Sequence, residues 1–132
     1  MNSPNGNILC TEDHADTRDL IAHLLTREGF QVTCAESGEH ALRLAKSQVF
    51  NLYLVDNCML DFSGVVLTKR LREFDTKTPI LFYSGAVLEL DQENARLAGA
   101  QGYLVKPAEN EVLVSEVVRL IAESKIARPA SN

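Results

Sequence analysis

Several features that would point to a particular class of protein are scarce or absent in this sequence. No apolar run approaches the roughly 20 residues that a membrane-spanning helix requires. The three cysteines, Cys10, Cys34 and Cys58, are odd in number and form no C-x-x-C pair. This spacing disfavours a disulfide framework or a zinc site. We therefore expect reduced thiols, of which Cys10 and Cys34 fill core positions in strands.

Basic charge is also in short supply, and no leader segment is expected from the composition of the amino end. Thirteen Lys and Arg residues stand against 18 Asp and Glu residues, so the formal net charge is −5. No element clusters its basic residues, which argues against binding to a phosphate backbone. Residues 1–7 have neither the basic nor the apolar region of a secretion signal. These absences predict a cytoplasmic protein without direct contact to nucleic acid or membrane.

The length and composition are those of one soluble domain. The chain has 132 residues, of which 45% are hydrophobic and 23% are charged, and a chain of this size can bury a core of its own. We expect a flexible N-terminal lead over residues 1–6, one domain over residues 7–124, and a C-terminal tail or the start of a linker over residues 125–132.

Five short apolar segments predict buried strands, and an amphipathic segment follows each of them. The strands are expected at residues 8–11, 31–35, 50–56, 80–84 and 102–105. The helices are expected at residues 16–28, 38–47, 64–72, 88–98 and 109–124, with Ser37 and Ser63 as the N-caps of the second and third. Five consecutive β-α units with short connections predict an α/β fold, a five-stranded parallel sheet with helices on both faces in the doubly wound, flavodoxin-like arrangement.

The first and last helices carry apolar residues at the spacing of one buried face. In the first helix these are Leu20, Ile21, Leu24 and Leu25. In the last helix they are Val112, Leu113, Val117, Leu120 and Ile121. We expect both sets to face the sheet.

Ionisable and hydroxyl side chains stand where four of the predicted strands end. The pair Glu12-Asp13 follows the first strand, Asp56 ends the third, Ser84 ends the fourth and Lys106 follows the fifth. The carboxyl ends of parallel strands lie along one edge of the sheet, where open α/β sheets bind their ligands. We therefore expect these side chains to meet at that edge.

Three carboxylates at one edge need a cation to offset their repulsion. Two like charges about 4 Å apart repel by about 4 kcal/mol at an effective dielectric constant near 20. Lys106 supplies one positive charge, and hard carboxylate oxygens favour Mg²⁺ as a second. A carboxylate beside Mg²⁺, an ammonium and a hydroxyl has the groups that phosphoryl transfer to an aspartate requires.

The histidines are expected at surface or capping positions without a functional partner: His14, His23 and His40.

These residues, in this order and at these strand ends, resemble the receiver (CheY-like) domain of two-component response regulators over roughly residues 7–123. The resemblance implies that Asp56 is the phosphoacceptor and that a sensor histidine kinase or a histidine phosphotransfer protein is the donor. It implies that Glu12, Asp13 and Asp56, with the backbone carbonyl of Cys58, bind Mg²⁺. The first acid is Glu12, where the family more often has Asp.

The same resemblance implies a switch in partner binding. Ser84 would be the hydroxyl that turns toward the phosphoryl group, Tyr103 the aromatic side chain that moves with it, and Lys106 the lysine of the site, followed by a Pro whose peptide bond the family usually holds cis. The protein would catalyse only its own phosphorylation and dephosphorylation. A changed surface would then bind a downstream effector or output domain, in a stand-alone regulator or in part of a longer protein.

Three other functions fit parts of the pattern. A hydrolase of the haloacid-dehalogenase type also uses an Asp nucleophile and Mg²⁺, but it generally has a second Asp two residues later, where this chain has Cys58. A receiver-like module that never takes phosphate would agree with Leu60, which stands where the family usually has Pro. A flavin-binding protein of the same architecture would place its cofactor phosphate after the first strand, where Glu12 and Asp13 would repel it.

Overall fold

The computed structural model describes residues 5–127, in which five strands alternate with five helices. The strands are β1 (Asn7–Thr11), β2 (Gln31–Ala35), β3 (Leu52–Val55), β4 (Ile80–Ser84) and β5 (Gly102–Val105). The helices are α1 (Ala15–Arg27), α2 (Gly38–Ser47), α3 (Gly64–Arg72), α4 (Glu89–Ala98) and α5 (Asn110–Ala127). No helix within the described residues is long and apolar enough to cross a membrane.

All five strands pair in parallel in one sheet, in the order β2-β1-β3-β4-β5. The chain moves outward from β1 in one direction to β2 and then in the other to β3, β4 and β5. A reversal of this kind leaves a crevice at the carboxyl ends of the two central strands. The arrangement confirms the predicted doubly wound α/β fold and places the ends of β1 and β3 at the crevice.

Side chains alternate between the two faces of the sheet along each strand. Both faces are buried because helices pack against each of them. Ile8 and Cys10 face α1 and α5, whereas Leu9, between them, faces the opposite layer of α2, α3 and α4. In β3, Leu54 points to the first layer and Val55 to the second. Burial of each large apolar side chain contributes about 1.5–3 kcal/mol, so these two layers hold the strand ends in register.

The local signals for the helices are largely confirmed. Ser37 accepts a hydrogen bond from the His40 amide over 3.1 Å, and Ser63 accepts one from the Val66 amide over 3.2 Å. Both serines therefore cap their helices as predicted. The two cysteines assigned to strands also occupy core positions, since Cys10 is buried and the half-buried Cys34 packs against the same cluster.

Two of the residues expected in the buried faces are exposed instead. Leu20 is 60% exposed and Val112 is 43% exposed, so the predictions for them were wrong. With a rotation of about 100° per residue, Leu20 lies roughly 90° from the centre of the face that Ile21, Leu24 and Leu25 form. Val112 lies farther still from the centre of the buried face of α5. In both helices, an apolar residue next to a buried one in sequence was wrongly assigned to the buried face.

The chain ends differ partly from expectation. Helix α5 continues to Ala127, so residues 125–127 extend the helix, whereas it was expected to end at residue 124. At the other end, the Asn5 side chain donates a hydrogen bond to the Glu28 carbonyl over 2.6 Å. The other residues of the expected lead and tail, 1–4 and 128–132, lie outside the described residues.

A hydrogen-bonded network fixes the turn between α3 and β4. Tyr53 Oη donates to Asp75 Oδ2 over 2.7 Å, and Thr78 Oγ1 donates to the same oxygen over 2.6 Å. Burial alone would raise the pKa of Asp75, but the hydrogen bonds from Thr78 and Tyr53 outweigh it and lower that pKa to about 2. Because the folded-state pKa lies below the ordinary value, this network stabilises the fold above about pH 4, and the contribution is lost as the pH falls through about 2.

Replacement of Tyr53 by Phe removes one donor to this half-buried carboxylate. We expect Tyr53→Phe to lower the free energy of unfolding at neutral pH by about 1–2 kcal/mol. The variant should also lose less stability between about pH 4 and pH 2, because the pKa of Asp75 moves back toward its ordinary value. Urea unfolding at several pH values measures both effects. Tyr83→Phe is the control, since the Tyr83 hydroxyl accepts from the Ala108 amide; an acid response of Tyr53→Phe equal to that of this control would contradict the assignment.

Candidate functional site

The register of the sheet brings the acidic and basic strand ends together. Thr11 lies opposite Val55, so Glu12 and Asp56 leave the sheet side by side, and the Asp56 amide still donates to the Thr11 carbonyl over 3.1 Å. On the other side of β4, the Lys106 amide donates to the Ser84 carbonyl over 2.9 Å. Residues that are far apart in sequence therefore share one edge, as predicted.

At this edge, Lys106 forms ion pairs with two buried carboxylates. Its Nζ lies 2.5 Å from Glu12 Oε1 and 3.1 Å from Asp56 Oδ2. Glu12 is 1% exposed and Asp56 is 4% exposed. Burial by itself would lower the pKa of Lys106, but its hydrogen bond to Glu12 and the charge of Asp56 outweigh that effect and raise the pKa. The ammonium is therefore held in its charged form between the two acids.

The loop after β3 presents the Asp56 carboxylate from a close-packed turn. Asp56 Oδ1 accepts a hydrogen bond from the Cys58 amide over 3.1 Å, so both carboxylate oxygens have partners. Helix α3 begins directly against this loop, and a Cβ on Gly64 would lie 2.7 Å from the Asp56 carbonyl oxygen. A residue with a side chain would have to displace that backbone. Gly64 is thus a positioning residue that the sequence did not single out.

Asp13 and His14 complete the acidic end of the site. Asp13 Oδ1 is buried and accepts no hydrogen bond from the described residues. His14 Nδ1 lies 3.1 Å from that oxygen, without hydrogen-bond alignment, and 3.2 Å from Glu12 Oε2. The ring thus has two acidic neighbours, whereas no partner was expected for it. The backbone at His14 is extended where α1 begins, and this turns the ring back onto the two preceding acids.

The donor set fits a hard divalent cation. Glu12, Asp13, His14 and Asp56 each offer one ligand atom, and these four atoms lie within 4.8 Å of one another. Oxygen-rich sites of this size suit Mg²⁺. The buried Asp13 oxygen that accepts no hydrogen bond is the observation that favours a cation here, since a buried carboxylate oxygen without a partner is costly.

The other predicted site residues line the adjacent part of the edge. Ser84 is fully buried, and its Oγ accepts a hydrogen bond from the Ala86 amide over 3.2 Å. The Tyr103 hydroxyl donates to the Ala86 carbonyl over 2.7 Å, while its ring stacks on Phe82 with the centroids 5.4 Å apart. The Cys58 side chain is exposed. A cis peptide bond joins Lys106 to Pro107, as the resemblance implied.

A parallel α/β sheet with an acidic cluster and a lysine at its carboxyl edge defines a narrow class of domains, and the comparisons with known proteins agree with it. The family model of the response regulator receiver domain matches residues 8–118. The chain therefore belongs to the receiver domain family of two-component response regulators.

Individual relatives support this assignment. The chain is 34% identical to the transcriptional regulatory protein YrkP of Bacillus subtilis over 84% of its own length and 47% of that protein. It is 31% identical to the cell cycle transcriptional regulator CtrA of Caulobacter vibrioides over 89% of its length and 51% of that protein. The chain thus spans about half the length of the curated relatives it matches.

Solved structures show the same fold. Chemotaxis protein CheY4 of Vibrio cholerae superposes with a TM-score of 0.80 at 28% identity, covering 86% of this chain and 97% of that one. A CheY-like receiver domain of Methanospirillum hungatei superposes with a TM-score of 0.89 at 22% identity, covering 92% of this chain and 98% of that one.

Asp13 adds a like charge to a site that already holds two buried carboxylates. In metal-free buffer we expect Asp13→Asn to raise the free energy of unfolding by on the order of 1 kcal/mol, because it removes that repulsion. Added Mg²⁺ should stabilise the parent protein more than the variant, since an ion that binds the folded state raises stability by mass action.

Thermal unfolding with and without Mg²⁺ measures both effects of Asp13→Asn. Asp16→Asn is the matched control, because Asp16 is an exposed acid in the first turn of α1 and should leave the response to Mg²⁺ unchanged. A less stable Asp13→Asn variant that responds fully to Mg²⁺ would contradict the description of this site.

Proposed function

We propose that this receiver domain is a phosphorylatable switch of a two-component phosphorelay. Asp56 accepts a phosphoryl group from a sensor histidine kinase or a histidine phosphotransfer protein. The observation that carries the proposal is the environment of its carboxylate, which is buried but reaches the sheet edge, with Lys106 on Oδ2 and the Cys58 amide on Oδ1. A carboxylate held between fixed donors is oriented for attack on an incoming phosphorus.

The transfer requires little from the protein beyond position and charge. An Asp56 oxygen forms a bond to phosphorus as the phosphorus–nitrogen bond of the donor phosphohistidine breaks, and the donor imidazole leaves with the electron pair. Glu12, Asp13, Asp56 and the Cys58 carbonyl would hold Mg²⁺, which would supply positive charge next to the phosphoryl oxygens. Lys106, which lies 3.1 Å from Asp56 Oδ2, supplies a second positive charge.

Ser84 and Tyr103 are connected through one residue, which favours a switch. Both side chains bond to the backbone of Ala86, Ser84 Oγ at its amide and the Tyr103 hydroxyl at its carbonyl. If Ser84 Oγ turns to a phosphoryl oxygen, the Ala86 amide loses its acceptor and the loop before α4 can move. Tyr103 loses its partner at the same time. The surface of α4 and β5 then changes, and this is how phosphorylation would reach an effector or output domain.

The names of the relatives suggest one output. YrkP and CtrA are called transcriptional regulators, and this chain matches about half of each. We propose that the phosphorylated domain controls transcription through a second domain or a partner. The hydrolase alternative has no support at the corresponding position, because the residue two places after Asp56 is the exposed Cys58.

Replacement of Asp56 tests this proposal. With Mg²⁺ and radiolabelled acetyl phosphate, the parent protein should take up label and Asp56→Asn should take up none, because the amide cannot act as the nucleophile. Asp61→Asn is the matched control: Asp61 lies in the same loop but is exposed and binds the amides of Gly38 and Glu39, so it should retain labelling. Label on Asp56→Asn would place the acceptor elsewhere.

The same proteins distinguish a switch from a module that never takes phosphate. Beryllium fluoride with Mg²⁺ mimics a bound phosphoryl group, and it should shift the NMR signals of Tyr103 and the Ala86 amide in the parent and in Asp61→Asn. Asp56→Asn should show no such shift. Absence of both label and shift in the parent would favour the module.

A further inference from the structure

His14 contacts the acids of the site in a way that the phosphorylation chemistry does not use. Its backbone amide donates to Glu12 Oε2 over 3.2 Å, and its ring Nδ1 lies 3.2 Å from the same oxygen. The ring nitrogen also lies 3.1 Å from Asp13 Oδ1. The contacts of the His14 amide and of Nδ1 with Glu12 Oε2 therefore hold the imidazole beside the buried Asp13 oxygen, which accepts no hydrogen bond.

The spacing of these atoms is that of neighbouring ligands around one metal ion. Ligands about 2.1 Å from an octahedral ion, at right angles to each other, lie about 3 Å apart. The distances from His14 Nδ1 to Asp13 Oδ1 and Glu12 Oε2, 3.1 Å and 3.2 Å, match that edge. The Asp56 carboxylate belongs to the same cluster, within 4.8 Å. The nitrogen thus stands where a metal ligand would stand.

We propose that His14 Nδ1 is a ligand of the metal ion bound by Glu12 and Asp13, and that it shifts the preference of the site from Mg²⁺ toward first-row transition-metal ions. This inference rests on the metal site of the proposed function. An imidazole nitrogen binds ions such as Co²⁺ more strongly than it binds Mg²⁺, whereas carboxylate oxygens suit both. A mixed nitrogen and oxygen site therefore discriminates between the ions more than an all-oxygen site does.

The exposure of His14 agrees with this role. Its side chain is 74% exposed, so most of the ring is in solvent while Nδ1 faces the acids. Water or a phosphoryl oxygen would complete the coordination of the ion.

Calorimetric titration of the parent protein with Co²⁺ and with Mg²⁺ tests the proposal. At about pH 8, where an ordinary imidazole is neutral, His14→Gln should weaken Co²⁺ binding at least about tenfold, the effect usual for loss of a group that supports a metal. It should change Mg²⁺ binding less than about twofold, because Mg²⁺ gains little from nitrogen. His23→Gln, in an exposed position on the same helix, should change neither affinity.

A second readout observes the ring directly. Co²⁺ should shift the NMR signals of the His14 ring before those of the His23 ring. Equal effects of His14→Gln on both metals would show that the imidazole does not discriminate between the ions, and unchanged Co²⁺ affinity would show that it is no ligand; either result overturns the proposal.

Failure of the proposed function has a different signature. Asp13→Asn should weaken both Co²⁺ and Mg²⁺, because it removes an oxygen that both ions use. Unchanged Mg²⁺ affinity in Asp13→Asn would contradict the metal site of the proposed function, whatever His14→Gln shows.

Discussion

The site depends on the ion pairs between Lys106 and two buried carboxylates, Glu12 and Asp56. Two acids and an ammonium taken out of water do not favour folding by themselves, since desolvation offsets most of their attraction. The apolar layers on both faces of the sheet provide the stability that holds these groups at one edge. The site carries more negative than positive charge, and it is therefore suited to bind a cation and then a phosphoryl group.

Much of the fold could be predicted because its signals are local. Short apolar runs mark the strands, and serines at helix starts mark two of the helices, so the order of elements followed directly. The parallel arrangement then placed Glu12, Asp56 and Lys106 at one edge without any knowledge of contacts. The exposed Leu20 and Val112 show the limit of this reasoning: an apolar residue next to a buried one looks the same in sequence, and only the packing of the helix determines which of them faces the sheet.

The parts of the site that sequence missed depend on backbone direction or on distant partners. For His14 the sequence offers no base or ligand partner at a useful spacing, yet the extended backbone before α1 returns its ring to the acids beside it. Its position directly after the two acids was a usable signal. Gly64 matters because α3 begins against the Asp56 backbone, and no local pattern reveals such an approach. The contact of Tyr53 with Asp75 joins residues 22 positions apart and was equally invisible.

A double-mutant cycle between Lys106 and Asp56 is the most direct test of the shared site. The free energies of unfolding of the parent, Lys106→Met, Asp56→Asn and the double variant are measured in metal-free urea titrations. The structure predicts that Lys106→Met is strongly destabilising in the parent but much less so beside Asn at position 56, with a coupling energy above about 1 kcal/mol. Additive effects within about 0.5 kcal/mol would mean that these side chains do not meet, and would contradict the account.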